Sequence, residues 1–463
     1  MKSTISTLFL LVALALGVSA AEPKPNFLFI NADDLTHRDL GCYGGQAKTP
    51  NIDALAKQGM RFTQCFQAAP MCSPTRHNIY TGLYPVKSGA YPNHTFAKDG
   101  TQSIVHYLKP LGYRVALSGK RHISPEEIFP FEYSGKGNNP DMEAIDKLFG
   151  ECVESDTPFC LFACSNEPHG PWNKGDASQY PPDEIKLPPY FVDGPRTRED
   201  MSAYLAEITY YDGQVGQLMQ LLRKHKLAKN TLVVVTSEQG SSFPFAKWTL
   251  YDSGLQTAFI ARWPGKIKPG TVTDAMIEYV DVVPTFVDAA GGTPDPVLDG
   301  KSILPVLFGK TDHHKDHVYA LHTTRGIING SDHFGIRSIR SKQYKYIRNL
   351  TPDVEFTNAE TKSPRFDEWK EIAKEDKDAA DKVHRYSFRP AEELYDVTKD
   401  WYEWKNLADD PKYADIKKDL SNRLDAWMKS QGDQGQATEL AAFEHQKRGQ
   451  NKKKNQGKKK GKK

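Results

Sequence analysis

Nearly continuous apolar runs recur through the first part of the chain: Asn26–Asn31 (NFLFIN), Arg114–Ser118 (RVALS), Pro158–Ser165 (PFCLFACS), Thr231–Ser237 (TLVVVTS) and Gln256–Trp263 (QTAFIARW). They do not alternate polar and apolar positions, which is the pattern of strands covered on both faces of a parallel sheet. Segments of helical period lie between them, at Asn51–Gln58, Gln102–Leu111, Asp141–Phe149 and from Thr197 to about Lys226. Strands alternating with helices predict an open α/β sheet.

Polar clusters follow four of these strands. They are Asp33-Asp34, Gly119-Lys120-Arg121-His122, Asn166-Glu167-Pro168-His169 and Glu238-Gln239-Gly240. Each alone could be a helix cap, a solvated loop or a surface acid. Ligands of open α/β sheets, however, bind at the carboxyl ends of the strands. Together the clusters nominate one site with carboxylates for a cation and basic groups for an anion.

Beyond residue 335 the texture changes. Gln343-Tyr344-Lys345-Tyr346-Ile347 alternates, as antiparallel strands do, and an amphipathic helix follows from about Ile416 to Met428. A smaller α+β domain is expected there, with the charged residues 351–385 as an insertion or long loop. The expected boundaries are 1–20, 21–335, 336–432 and 433–463.

The two ends differ from the body in composition. Residues 1–20 combine Lys2, an apolar run from Leu8 to Leu16 and Val18-Ser19-Ala20, which is the build of a secretory signal peptide. That run is too short to span a bilayer, and no other segment is long enough, so export without a transmembrane anchor is expected. From Lys447 onward there are ten Lys or Arg and no acid, whereas the whole chain of 463 residues carries only +3. The body is therefore acidic, and the tail is expected to be a solvated, disordered end able to tether polyanions. No aromatic residue is interleaved with the lysines, which disfavours nucleic acid as the partner. Six cysteines in an exported chain of this length do not make a disulfide scaffold.

Met71-Cys-Ser-Pro-Thr-Arg-His77 contains Cys-x-Pro-x-Arg, the pattern that marks a cysteine for oxidation to formylglycine. With Asn31-Ala-Asp-Asp34, Gly119-Lys-Arg-His122, Tyr279-Val-Asp-Val-Val-Pro-Thr285 and Glu393-Leu-Tyr-Asp396, the chain resembles the type I sulfatases of the alkaline phosphatase superfamily. The likeness runs from about Asn26 to Pro411. It is greatest to sulfamidases, the heparan N-sulfatases, on Gly119–Phe131, Pro189-Tyr-Phe-Val192, Tyr211–Gly216 and Phe243-Pro-Phe245.

The resemblance implies a large, mostly parallel sheet sandwiched by helices, as in alkaline phosphatase, with a smaller C-terminal α+β domain carrying an antiparallel sheet. It implies that Cys72 becomes formylglycine through a formylglycine-generating enzyme. It further implies that Asp33, Asp34, residue 72, Glu238 and Gln239 hold one Ca²⁺ through oxygen ligands. Arg76 and Lys120 would stabilise anionic charge, and His122 would assist proton removal. His169 and Lys247 would face the leaving group, with His169 as general acid. The family usually has Asp-Asn where this chain has Glu238-Gln239, each longer by one methylene. Ca²⁺ tolerates irregular geometry, so both stay in the expected ligand set.

A sulfated saccharide is the implied substrate, with His94, Trp172, Trp248, His322, Arg325 and His333 as candidate recognition residues. Two other readings remain. A phosphate or phosphonate ester hydrolase of the same superfamily would use a similar site, although no second set of Asp and His for a two-zinc centre is evident. A non-catalytic binder of polyanionic glycans would use the cleft and the tail.

Overall fold

The computed structural model describes residues 23–446. The segment read as a signal peptide lies outside them, as does the lysine-rich run from Lys447.

Thirteen strands form two sheets among these residues. The first holds β1 (Asn26–Ala32), β2 (Met60–Phe66), β3 (Arg114–Gly119), β4 (Glu132–Tyr133), β5 (Phe159–Cys164), β6 (Thr231–Ser237), β7 (Gln256–Arg262), β8 (Thr271–Thr273) and β9 (Ile277–Glu278). Its order is β4-β3-β5-β1-β6-β7-β2-β8, with β9 also on β2. β3, β5, β1 and β6 are adjacent and mutually parallel. Every residue of β1, β5 and β6 is buried, so continuous apolar runs are what a sheet covered on both faces requires. One apolar cluster on each face does the covering.

β7 departs from the parallel expectation. It pairs antiparallel with both β6 and β2. An edge-ward antiparallel strand in the same two-sided environment carries the same apolar run, so burial pattern alone does not report direction. β2 was not anticipated. Its Arg61, Thr63 and Gln64 are only partly buried and break the apolar run.

The parallel arrangement puts the carboxyl ends of β1, β3, β5 and β6 on one rim. β2 runs the same way and delivers the chain to that rim, where the helix Cys72–Thr81 begins. All ten residues of this helix are buried. Its polar side chains are accommodated by bonding locally: Thr75 Oγ1 donates to Ala69 O (2.6 Å) and Thr81 Oγ1 to His77 O (2.7 Å).

The second sheet, β10 (Val318–Thr323), β11 (Gly335–Arg340), β12 (Tyr344–Asn349) and β13 (Glu392–Asp396), is antiparallel throughout. The helix Ala414–Gln431 covers it through Leu420, Leu424, Trp427 and Met428. The sheet begins at Val318, ahead of the boundary expected at 336. It also supports the turn that precedes Cys72: Leu321 N donates to Ala68 O (2.9 Å), and Ala68, Ala69 and Met71 share a core with Leu321, Ile339 and Leu394.

Two further expectations are corrected. Residues 351–385 contain the helices Pro364–Ile372 and Lys377–Ser387. Ser363 and Asp376 cap them, and Phe366, Trp369 and Tyr386 pack into the main core despite the high local charge. Residues 433–446 are folded, with the helix Gln436–Ala441. Asp433 and Glu439 are fully buried against Arg337 of β11. Among the described residues, no helix is long and apolar enough to cross a membrane.

Candidate active site

The four strand-end clusters and the Cys72 helix meet at the rim. Cys72 is the first residue of its helix and is 4% exposed. Its Sγ lies 3.4 Å from Asp33 Oδ1 and 3.5 Å from Gln239 Nε2. Gln239 Nε2 also donates to Asp34 Oδ1 (2.6 Å) and Asp33 Oδ1 (3.3 Å). Each aspartate has its own lysine. Lys120 Nζ contacts Asp33 Oδ2, and Lys247 Nζ sits 2.6 and 2.7 Å from the two oxygens of Asp34. His169 Nε2 is 3.8 Å from Asp34 Oδ2, and its Nδ1 donates to Gly170 O (2.8 Å).

Glu238 and Arg76 depart from the roles expected of them. Both Glu238 oxygens accept from Arg76, at 3.2 Å from Nε and 2.7 Å from Nη2, and both side chains are fully buried. Arg76 Nη1 donates to Lys120 O (2.8 Å), and Nη2 is 3.9 Å from Asp33. The extra methylene of Glu238 lets it reach the guanidinium as a bidentate counter-ion rather than join the two aspartates. Arg76 in turn holds the Lys120 turn and Asp33 in place. His122 does not bond to Cys72. Its Nε2 is engaged by His94 Nδ1 at 3.0 Å.

Burial pushes the Cys72 thiol up to about 12, against the pull of Lys247. The thiol therefore stays protonated at neutral pH, so an unmodified Cys72 is a poor nucleophile here. Burial opposes the Asp34 carboxylate, yet Lys247 and His169 hold it below the ordinary carboxylate range. Burial likewise works against the Lys247 ammonium, but Asp34 and Cys72 keep its pKa above the usual lysine value. Lys120 is brought down to about 8 by burial, reinforced by Lys247. His122 falls to about 2 through burial and the charge of Lys120, so it is neutral at physiological pH. Asp34 raises His169, but Lys247 and burial outweigh it and leave the imidazole below its ordinary value.

The donor set suits a hard cation. Ligand atoms of Asp33, Cys72 and His169 lie within 4.8 Å of one another. Gln239 Oε1 is buried without a hydrogen-bond partner, while the same amide's nitrogen faces both aspartates. Turning that amide over would place a third oxygen beside the two carboxylates, as Ca²⁺ coordination requires.

Of the candidate recognition residues, Trp172 stacks on Phe243 (5.3 Å between ring centres) and donates from Nε1 to Pro168 O. His322 is 0% exposed, which removes it from the surface. Trp248 lies beside Lys247, 5.2 Å from Nζ to the ring centre, and Arg325 pairs with His333 at 3.1 Å. Glu167 of the third cluster is buried and accepts from Asn139 Nδ2 (2.9 Å) beside Lys174. No local signal in the sequence joins Glu167 to Lys174 or His122 to His94.

An α/β sheet with this constellation on its carboxyl rim has the build of the sulfatase class. The sulfatase family model matches residues 25–136 and 125–292, and the chain belongs to that family. A second model, the C-terminal region of N-sulphoglucosamine sulphohydrolase, matches residues 240–361, which places the chain near the sulfamidase subgroup. An ulvan-active sulfatase of Formosa agariphila is 36% identical over 425 residues, covering 90% of this chain and 82% of that protein. Human N-sulphoglucosamine sulphohydrolase is 26% identical over 476 residues, covering 90% and 92%. A solved structure in complex with its substrate D-glucosamine-2-N,6-O-disulfate superposes with TM-score 0.71 at 20% identity, covering 89% of this chain and 99% of that one. A phosphonate monoester hydrolase from Silicibacter pomeroyi shares the fold, with TM-score 0.66 at 18% identity, covering 89% and 96%.

Proposed function

We propose that this protein is an exported sulfatase that removes sulfate, as an O-ester or an N-sulfate, from a sulfated carbohydrate. The observation that carries the reading is Cys72 at the buried start of its helix, within reach of Asp33 and Gln239 and flanked by two lysine–aspartate pairs. Cys72 is matured by a formylglycine-generating enzyme. Once hydrated, formylglycine supplies two hydroxyls on one carbon, one to attack sulfur and one to expel sulfate as the aldehyde re-forms.

Asp33, Asp34 and Gln239 would hold the divalent cation, most fittingly Ca²⁺, through oxygens. When bound, the cation supplies Lewis-acid polarisation of a sulfate oxygen. Glu238 remains the partner of Arg76, and this pair fixes Asp33 and the Lys120 turn. Lys120 and Lys247 stabilise negative charge on the transferring group. His169 faces the leaving atom through Nε2, its orientation held by the Nδ1 bond to Gly170. An incoming sulfate raises the imidazole's proton affinity, so that it acts as general acid on an oxygen or nitrogen leaving group. His122, whose Nε2 is held by His94 and which makes no bond to Cys72, helps to shape the edge of the site beside Lys120. Asp33, Asp34 and Glu238 already balance Arg76, Lys120 and Lys247, so an added divalent cation leaves the site positive and favours an anionic substrate group. The basic run after residue 446 would hold polyanionic substrate near the enzyme.

The test joins mass spectrometry of the Cys72 peptide with a screen of defined sulfated saccharides that includes N-sulfoglucosamine and an aryl phosphate control. Formylglycine together with sulfate release supports the reading. An unmodified cysteine in a maturation-competent host with no sulfate release, or a strong preference for phosphate, refutes it.

A further inference from the structure

Beside the reaction centre, the turn Gly119–His122, the loop Gly135–Asn138 and His94 enclose a cavity of about 620 Å³. Its size falls within the range of pockets that hold small ligands, about 300–1,000 Å³. His94, Lys120, Arg121, His122 and Lys136 line it, and none of the lining residues is acidic. Two of these, Lys120 and His122, belong to the site already described, so the cavity opens directly off it.

The charges here are not all matched. Lys120 is paired with Asp33. Arg121 and Lys136 are exposed, and the Arg121 guanidinium lies 3.7 Å over the Tyr133 ring instead of meeting a carboxylate. Among the described residues, neither Arg121 nor Lys136 forms an ion pair. His122 Nδ1 is buried and has no hydrogen-bond partner, although Nε2 of the same ring is engaged by His94. The loop carrying Lys136 is tightly bent. Gly135 and Gly137 have φ of 83° and 99°, and a Cβ on Gly135 would come within 2.2 Å of Asp141. A Cβ on Gly137 would meet nothing within 4 Å, so the loop stays open on that side.

We infer that this cavity is an anion subsite that receives a second negative group of the substrate while the first sulfate lies at residue 72. The inference rests on the proposed sulfatase function and narrows its substrate class. The preferred substrate is a polyanionic saccharide with a carboxylate or second sulfate on the same or the adjoining sugar, not an isolated monosulfated neutral sugar. Two cations without carboxylate partners attract such a group, and a guanidinium suits either planar carboxylate or sulfate oxygens.

The test compares wild type with Arg121→Ala/Lys136→Ala on two substrates: an aryl sulfate, and a tetrasaccharide of N-sulfoglucosamine and uronate. The ratio of kcat/KM for tetrasaccharide to that for aryl sulfate is expected to fall at least tenfold, mainly through KM. The salt dependence of the tetrasaccharide KM should flatten as well. A ratio unchanged within twofold overturns the subsite. Carboxyl-reduced and singly sulfated tetrasaccharides identify the second anion, and a wild-type preference that survives the loss of both together overturns the inference. If wild type releases no sulfate from any substrate, the sulfatase reading itself has failed. The subsite is then judged by calorimetric binding of the tetrasaccharide, where equal affinity of wild type and variant counts against it. Thermal unfolding of the variant confirms that the fold is retained.

Discussion

Arg337 and the segment after residue 432 give a sharp test of how this structure is held together. Arg337 is fully buried and meets two buried carboxylates from a stretch whose sequence reads as tail: Asp433, at 3.1 Å from Nη2 to Oδ1, and Glu439, at 2.9 Å. Its Nη1 donates to the carbonyls of Ile336 (3.0 Å) and His322 (3.3 Å). Arg337→Met keeps the volume and removes the charge, stranding two acids away from water. Breaking a buried ion pair by removing one partner costs about 3–5 kcal/mol. Burial already raises Glu439, so this variant should recover part of the loss by protonation. Without Arg337 the Glu439 carboxyl, already raised by burial, loses the cation that lowers it, so its folded-state pKa lies above the unfolded value. The variant's deficit is therefore smallest below pH 4 and grows as pH rises through the folded-state value, so it is larger at pH 8 than at pH 5. Replacing the whole triad, Arg337→Met with Asp433→Leu and Glu439→Met, should return most of the stability, because no unpaired charge remains. Urea unfolding followed by tryptophan fluorescence measures the loss, and hydrogen exchange at Gln436–Ala441 reports release of the segment. A single-variant loss under about 1 kcal/mol with unchanged exchange would refute the argument.

Three other outcomes are expected. Glu238→Gln leaves Arg76 buried against a neutral amide and should cost about 3 kcal/mol in denaturant unfolding, with Glu238→Asp recovering part of it; a neutral effect would mean Arg76 has other compensation. Chelation should abolish sulfate release and added Ca²⁺ restore it, and Gln239→Leu should weaken Ca²⁺ binding about tenfold or more by calorimetry; equal affinity would remove Gln239 from the ligand set. Burial opposes the Asp281 carboxylate, but Lys315 and His314 bring it down to about 2 from 3.8, so its stabilisation is present above pH 4 and lost as pH falls toward 2. Asp281→Asn should therefore cost about 2 kcal/mol at pH 7 and little at pH 2, read from unfolding across that range.

Much of the site is legible in sequence because where an apolar run ends, and which polar residues follow it, are local properties. The apolar runs ending at Asn31, Ser118, Ser165 and Ser237 place Asp33, Lys120, His169 and Glu238 within four residues of the ends of parallel strands, and the rim follows from that. Pairings between side chains are not legible in the same way. Glu238 with Arg76 spans 162 positions, and His122 with His94 joins two loops whose positive backbone angles no residue type announces. The helices at 364–372 and 377–387 were obscured by their charged outer faces, although Ser363 and Asp376 stand at their starts as caps.

The sequence alone determined the fold class and the acids and bases that gather round Cys72, because hydrophobic period and strand-end chemistry are written residue by residue, and the Cys-x-Pro-x-Arg motif singled out Cys72 itself. Tertiary structure decided how the charges pair. It assigned Glu238 to Arg76, left Gln239 facing Asp33 and Asp34, and used Arg337 to turn residues 433–446 into part of the fold. The physical reason is burial. Once removed from water, each charge must find a partner, and which partner lies within reach depends on the packing of segments far apart in the chain.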